Sequence, residues 1–184
     1  MPVEATLDLP GGRRLLLTIE DLLGAPVDAI VNAANGGLAH GGGVAAAISR
    51  AAGPALDEEG DALVRERGRV PTGEAVVTTA GRLPFRGVIH AVGPSMGQGD
   101  EEAKLTAAVA NALLRAHERG WRKVALPAIS SGIFAVPLEI CARSYVAGVR
   151  AHLAAHPGST LLEVRLCLFP GPLVDLVTRA MAAR

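Results

Sequence analysis

The chain is predicted to fold as an α/β protein, a three-layer α/β/α sandwich around a central mixed, mostly parallel sheet. Three observations carry this expectation. Apolar runs of strand length alternate with alanine-rich helical segments after one initial hairpin, the order that builds a parallel sheet covered by helices on both faces. Two of those runs, Ala29 to Ala33 and Lys123 to Ala128, each feed a glycine-bearing loop that opens a helix. With 184 residues at 49% hydrophobic content there is enough apolar material for one sizeable core, so residues 1–184 are read as a single domain.

The elements follow in order. Strands around Ala5 to Leu9 and Arg13 to Ile19 flank Pro10-Gly11-Gly12, a hairpin turn, and pair at one edge of the sheet. Ala29 to Ala33 is a buried strand, and Gly43 to Ala52 a helix. Pro54 to Arg67 is a second helix that starts on proline and stops at Gly68. Glu74 to Thr79 and Gly87 to Val92 are strands separated by a turn-rich segment. Glu101 to Arg119 is a long helix whose Leu105, Ala108, Val109, Ala112, Leu113 and Ala116 share one face, with Asp100 available as its cap and Gly120 closing it. Strand Lys123 to Ala128, helix Pro137 to Leu153, strand Leu162 to Phe169 and helix Pro172 to Met181 complete the order.

Composition narrows the function classes. The formal net charge is zero, which removes the electrostatic footprint of a protein that tracks nucleic-acid backbones. Cys141 and Cys167 are far apart and have no histidine at ligand spacing, so neither a disulfide framework nor a metal site is indicated, and both are expected to pack as small apolar residues. The N-terminus has no basic region followed by an apolar stretch, and no run is long enough to span a bilayer; a cytoplasmic location without membrane attachment is the expectation. The carboxylates Asp57, Glu58, Glu59 and Asp61 read as a solvated helix face.

The chemistry lies in the two glycine loops. In Val31-Asn32-Ala33-Ala34-Asn35-Gly36-Gly37-Leu38-Ala39-His40-Gly41-Gly42-Gly43-Val44 a strand ends, the chain becomes glycine-rich, and a helix begins. Glycine lets several N–H groups point into one small volume, and the helix start adds unpaired donors and the positive end of its dipole, so an anion is expected there. The second loop, Pro127 to Pro137, carries Ser130-Ser131-Gly132 with Ile133 and Phe134 beyond it, supplying hydroxyls, close backbone amides and an apolar face. Two such loops on one domain suggest a diphosphate.

With Asp28-Ala29-Ile30-Val31-Asn32-Ala33-Ala34-Asn35 and its glycine loop, Val88-Ile89-His90-Ala91-Val92-Gly93-Pro94, and Pro127-Ala128-Ile129-Ser130-Ser131-Gly132-Ile133-Phe134, the sequence resembles the macrodomain family from about Ile19 to Phe169. Members of that family bind ADP-ribose and related metabolites. The resemblance implies that Asp21, with Leu22 beside it, accepts from the adenine exocyclic amine, Glu20 standing where the family has glycine. It implies an aromatic contact to adenine from Phe169 and a distal-ribose contact from Asn35. Backbone amides of Gly42, Gly43, Val44, Ser131, Gly132, Ile133 and Phe134 would meet the diphosphate, with Phe134 also covering the distal ribose, and Gly41 and Ser130 complete the expected ligand-binding residues. Asn32 is expected to hold the loop through backbone hydrogen bonds, and His40 and His90 to pack or bond locally.

The loop form His-Gly-Gly-Gly-Val is closer to one group of the family than to the MacroD-type hydrolases. Where those carry an Asp and a His, this chain has Ala45 and Ser49, and an alanine can neither orient nor deprotonate water. The leading expectation is a binding domain for ADP-ribose, free or on a macromolecule, with no metal and no cofactor. The alternative is an ADP-ribosyl hydrolase acting on modified protein, nucleic acid or an ADP-ribose derivative, in which Asn35 and the substrate's own phosphate position the water.

Overall fold

The computed structural model describes residues 2–183. Seven strands, β1 (Val3–Leu9), β2 (Arg13–Ile19), β3 (Ala29–Ala34), β4 (Ala75–Thr78), β5 (Gly87–Val92), β6 (Lys123–Leu126) and β7 (Glu163–Leu168), form one sheet in the order β1-β2-β7-β6-β3-β5-β4. The five inner strands are mutually parallel and only the two edge strands run antiparallel to their neighbours. The β1–β2 hairpin turns on Gly11 and Gly12, both with positive φ, the conformation that matches the twist of the strands it joins.

Strand side chains alternate between the two faces. Ala29, Val31, Ile89, Ala91, Val124, Leu126, Val164 and Leu166 pack with helices α3 (Glu101–Glu118), α4 (Leu138–Ala155) and α5 (Pro172–Ala182). Ile30, Val88, Ala125 and Cys167 face the other way, onto α1 (Gly43–Ala52) and α2 (Pro54–Arg67) through Ile48, Ala52 and Leu56. The result is the predicted three-layer sandwich. All six residues expected on the inner face of the long helix are fully buried. Cys141 and Cys167 are buried thiols, as expected.

Two details differ from expectation. Asp100 makes no capping bond: it enters α3 with left-handed backbone (φ 53°), whereas a capping side chain needs an extended residue to reach the first-turn amides. The Glu101 carboxylate instead accepts from the Gly97 and Gly99 amides at 2.8 and 3.2 Å. The carboxylates at the start of α2 are not simply solvated either. Asp57 accepts from Ser49 Oγ at 2.7 and 3.0 Å, and Glu59 accepts from the Thr79 amide at 2.9 Å, so both tie α2 to its neighbours.

The sheet order places the site. Strands β3 and β6 pair only at Ala29–Val124 and Ile30–Ala125, and β3 then continues to Ala34 alongside β5 alone. From β3 the chain turns onto the α1 face, and from β6 onto the α4 face. Neighbouring parallel strands whose connections leave to opposite faces open a crevice at their carboxyl ends. The adjacent strands β2 and β7 deliver Asp21 and Phe169 to the same end of the sheet.

Candidate functional site

A cleft of about 740 Å³ occupies that crevice. Every residue singled out from the sequence as a ligand contact lines it: Asp21 and Leu22 after β2, Asn35 and Gly41 to Val44 after β3, Ser130 to Phe134 after β6, and Phe169 after β7. The glycine loop enters α1 through Gly42, in extended backbone without a side-chain cap, and Gly43 at φ 58°. The first helix-turn donors, Gly43, Val44 and Ala45, therefore have no intrahelical acceptor. Across the cleft the second loop is closed on itself by Val136 N–H to Ser130 O (3.0 Å) and Ala135 N–H to Gly132 O (2.9 Å). Ser130 sits at φ 65°, and the amides of Ser131 to Phe134 bond to no acceptor among the described residues. The loops approach closely: a Cβ placed on Gly42 would lie 3.5 Å from Ile133 Cδ1.

Among the described residues, no lysine or arginine lines the cleft. An anion between the loops would be met by backbone dipoles and a helix N-terminus, with little competing desolvation of a cation. At the other end Asp21 caps the short 3-10 turn Leu22–Gly24: its Oδ1 accepts from the Leu23 amide at 3.0 Å. The exposed carboxylate keeps its second oxygen for a partner that donates, such as an amino group. Beside it the Phe169 ring is 83% exposed, an apolar surface that a planar ring can cover.

Glu20, noted in the sequence only as standing where the family has glycine, also lines the cleft. Burial alone would raise its carboxyl. Hydrogen bonds from Thr18 Oγ1 (2.8 Å) and Arg165 Nη1 (3.1 Å) outweigh that and hold it below the usual carboxylate range. Its Oε1 also faces the Cys167 thiol, which burial pushes up to about 12. The pairing depends on β2 and β7 lying in register, with Thr18 opposite Cys167, and a linear sequence does not state register.

The two loop asparagines divide their work otherwise than expected. Asn35, not Asn32, holds the loop by backbone bonds: its Oδ1 accepts from the Gly37 and Ala39 amides (both 3.1 Å) and its Nδ2 donates to Ala39 O (2.7 Å). One Nδ2 hydrogen remains for a ligand. Asn32 is fully buried, because it points from β3 into the layer beneath the loop, where its Nδ2 lies 3.1 Å from His90 Nδ1 and 3.4 Å from His40 Nδ1. Since an amide nitrogen only donates, His90 Nδ1 accepts, and the neutral ring gives its Nε2 proton to Thr78 Oγ1 at 2.7 Å, which in turn donates to Thr79 O. Burial, then the neighbouring His40, pushes His90 down to about 3. His40 is itself lowered by burial, against the pull of Asp57 and Asp61; its Nε2 stands 3.5 Å from Asp57 Oδ1. The histidines thus brace the glycine loop from below rather than face the cleft. Ala45 lines the cleft with a methyl group, and Ser49 is spent on Asp57.

Among the described residues, no group of three or more His, Cys, Asp or Glu is arranged to hold a metal ion, and no helix is long and apolar enough to cross a membrane.

Comparison with known proteins gives this geometry a family. The Macro domain model matches residues 31–145, which contain both glycine loops. A Thermotoga maritima protein is 50% identical over 158 residues, 85% of this chain but 26% of its own length, so the chain spans only part of that relative. An Escherichia fergusonii protein named O-acetyl-ADP-ribose deacetylase is 44% identical over 138 residues, 74% of this chain and 78% of that one. Among solved structures, a mutant of the Oceanobacillus iheyensis macrodomain with ADPR superposes with a TM-score of 0.87, covering 97% of each chain at 27% identity. Loops, sheet order and sequence similarity agree, and the chain belongs to the macro domain family.

Proposed function

We propose that the cleft binds ADP-ribose, free or attached to a protein. In this reading Asp21 reads the adenine amine and Phe169 stacks on the ring; the diphosphate spans the two loops, and the distal ribose lies against Asn35 and Phe134. The observation that carries it is the pair of facing loops whose unengaged amides converge where β3 and β6 part, in a cleft without a cationic side chain. Solved relatives with ADPR and with ADP support the choice of ligand. The contacts require no metal or cofactor. Titration calorimetry with ADP-ribose, ADP and AMP tests the assignment: affinity should fall as the distal ribose and then a phosphate are removed, and no heat of binding at high micromolar ADP-ribose would end it.

A second reading, hydrolysis of an ADP-ribose derivative or conjugate, is favoured by the similarity to the Escherichia fergusonii deacetylase. Ala45 leaves no acid at the position where MacroD-type enzymes have one, so water would be oriented by Asn35 and the ligand's own phosphate, consistent with the His-Gly-Gly-Gly-Val type of loop. Release of ADP-ribose from acetylated, glutamate-linked, serine-linked and nucleotide-linked substrates is the assay. Silence on all four leaves a binding domain.

A further inference from the structure

A second cleft, about 470 Å³, begins where the first ends: Asn35 and Phe134 line both. Its character is different. Thr72, Ser95 and Gln98 give it a polar wall, and among the described residues Arg69 is its single charged side chain and no carboxylate lines it. Arg69 takes part in none of the ion pairs among the described residues. The backbone beside it is anchored to the first loop. Val70 N–H donates to Gly36 O at 2.8 Å, and the guanidinium lies along the Asn35 loop, where a Cβ on Gly37 would come within 3.0 Å of Nη1. An exposed guanidinium with no ion-pair partner among the described residues, beside a hydroxyl- and amide-lined recess, can receive one anion.

We infer that this second cleft reads a carboxylate side chain flanking the modified residue of an ADP-ribosylated protein, with Arg69 as the specificity-determining residue. The inference rests on the functional reading above, since a group carried on the distal ribose leaves the first cleft between Asn35 and Phe134. A peptide fits the recess better than a nucleic-acid strand. There is one cation for one side-chain carboxylate, and the Gln98 carboxamide, whose Oε1 takes only a long 3.4 Å bond from Thr72, can both donate to and accept from a peptide backbone. A phosphodiester chain brings one charge per nucleotide to a protein of zero net charge.

The test uses the whole chain, wild type and Arg69→Gln, and four ligands: ADP-ribose, two peptides carrying it through a non-hydrolysable link and flanked by Glu or by Gln, and an ADP-ribosylated oligonucleotide. Wild type should prefer the Glu-flanked peptide by about fivefold, the scale of one partly exposed charge-assisted pair, and the preference should shrink as salt is raised. Arg69→Gln should bind both peptides equally and keep its affinity for ADP-ribose. Equal binding of the two peptides by wild type, a preference that survives Arg69→Gln, or an oligonucleotide that binds more tightly than the Glu-flanked peptide and depends on Arg69 overturns the inference while leaving ADP-ribose binding intact. Loss of ADP-ribose binding by wild type itself overturns both.

Discussion

Gly42 offers the sharpest test of how the anion is held. Its φ of −169° is extended backbone open to any residue, and a Cβ there meets only Ile133 Cδ1 at 3.5 Å, an ordinary contact. Gly42→Glu should therefore fold, with its side chain directed into the mouth between the loops. A unit charge about 5 Å from one phosphate charge costs about 3 kcal/mol at an effective dielectric near 20. Solvent at the half-open mouth reduces this by about half, and the two charges of a diphosphate restore it, for a net loss of about 3 kcal/mol or roughly 150-fold in affinity. Gly42→Gln fills the same volume without the charge, so the ratio of the two variants isolates electrostatics from bulk. Calorimetry with ADP-ribose, beside melting curves showing that both variants are folded, measures that ratio. If Gly42→Glu binds within threefold of Gly42→Gln, the diphosphate does not lie between these loops.

Three further outcomes are expected. Asp21→Ala should weaken ADP-ribose by about 1–3 kcal/mol and narrow the preference over an inosine-containing analogue, measured by competition; unchanged selectivity would remove Asp21 from the adenine contact. Asn35→Ala deletes three loop hydrogen bonds and should lower stability by about 1–2 kcal/mol, with faster amide exchange at Gly37 and Ala39 and, if the domain is a hydrolase, loss of turnover. His90 and His152, the latter a buried residue of α4 whose Nε2 meets Ser159 Oγ at 2.8 Å, are held by burial at about 3 and about 4, below their unfolded value, so the unfolded chain binds more protons as pH drops below about 6.5. Stability should then fall on acidification, by up to about 1.4 kcal/mol per pH unit for each histidine. Denaturant midpoints between pH 7 and pH 5, above the range where the lowered carboxyls of Glu20, Glu101 and Glu102 begin to protonate, should show this slope, and a flat profile would contradict the buried neutral rings.

What was legible in the sequence is what local pattern encodes. The helical stripe from Leu105 to Ala116, the hairpin at Gly11-Gly12 and the strand-to-glycine-loop-to-helix order at Val31 to Val44 each follow from periodicity or backbone freedom over a few residues, and each stands in the structure where expected. The loop motifs also named the lining of one cleft, because glycine and serine beside a helix start have a direct physical use. Contacts made between elements were not legible. The Glu20–Arg165 pair, the Asn32–His90–Thr78 chain and the Ser49–Asp57 tie join residues 145, 58, 12 and 8 positions apart through strand register and helix packing, which hydrophobic periodicity and turn chemistry do not state even where the separation is short. That the loop is held by Asn35 and not by Asn32 has the same origin: both are loop-forming residues by type, and only the burial of Asn32 within β3 and the position of Asn35 just after it decide which one clamps the backbone. The sequence by itself determined the elements, their order and the chemistry of the loops. Tertiary structure alone decided that β3 and β6 part after two pairs, that Arg69 lies beside the Asn35 loop, and that His40 and His90 lie beneath the cleft, because these depend on which strands become neighbours and on which side each side chain is buried.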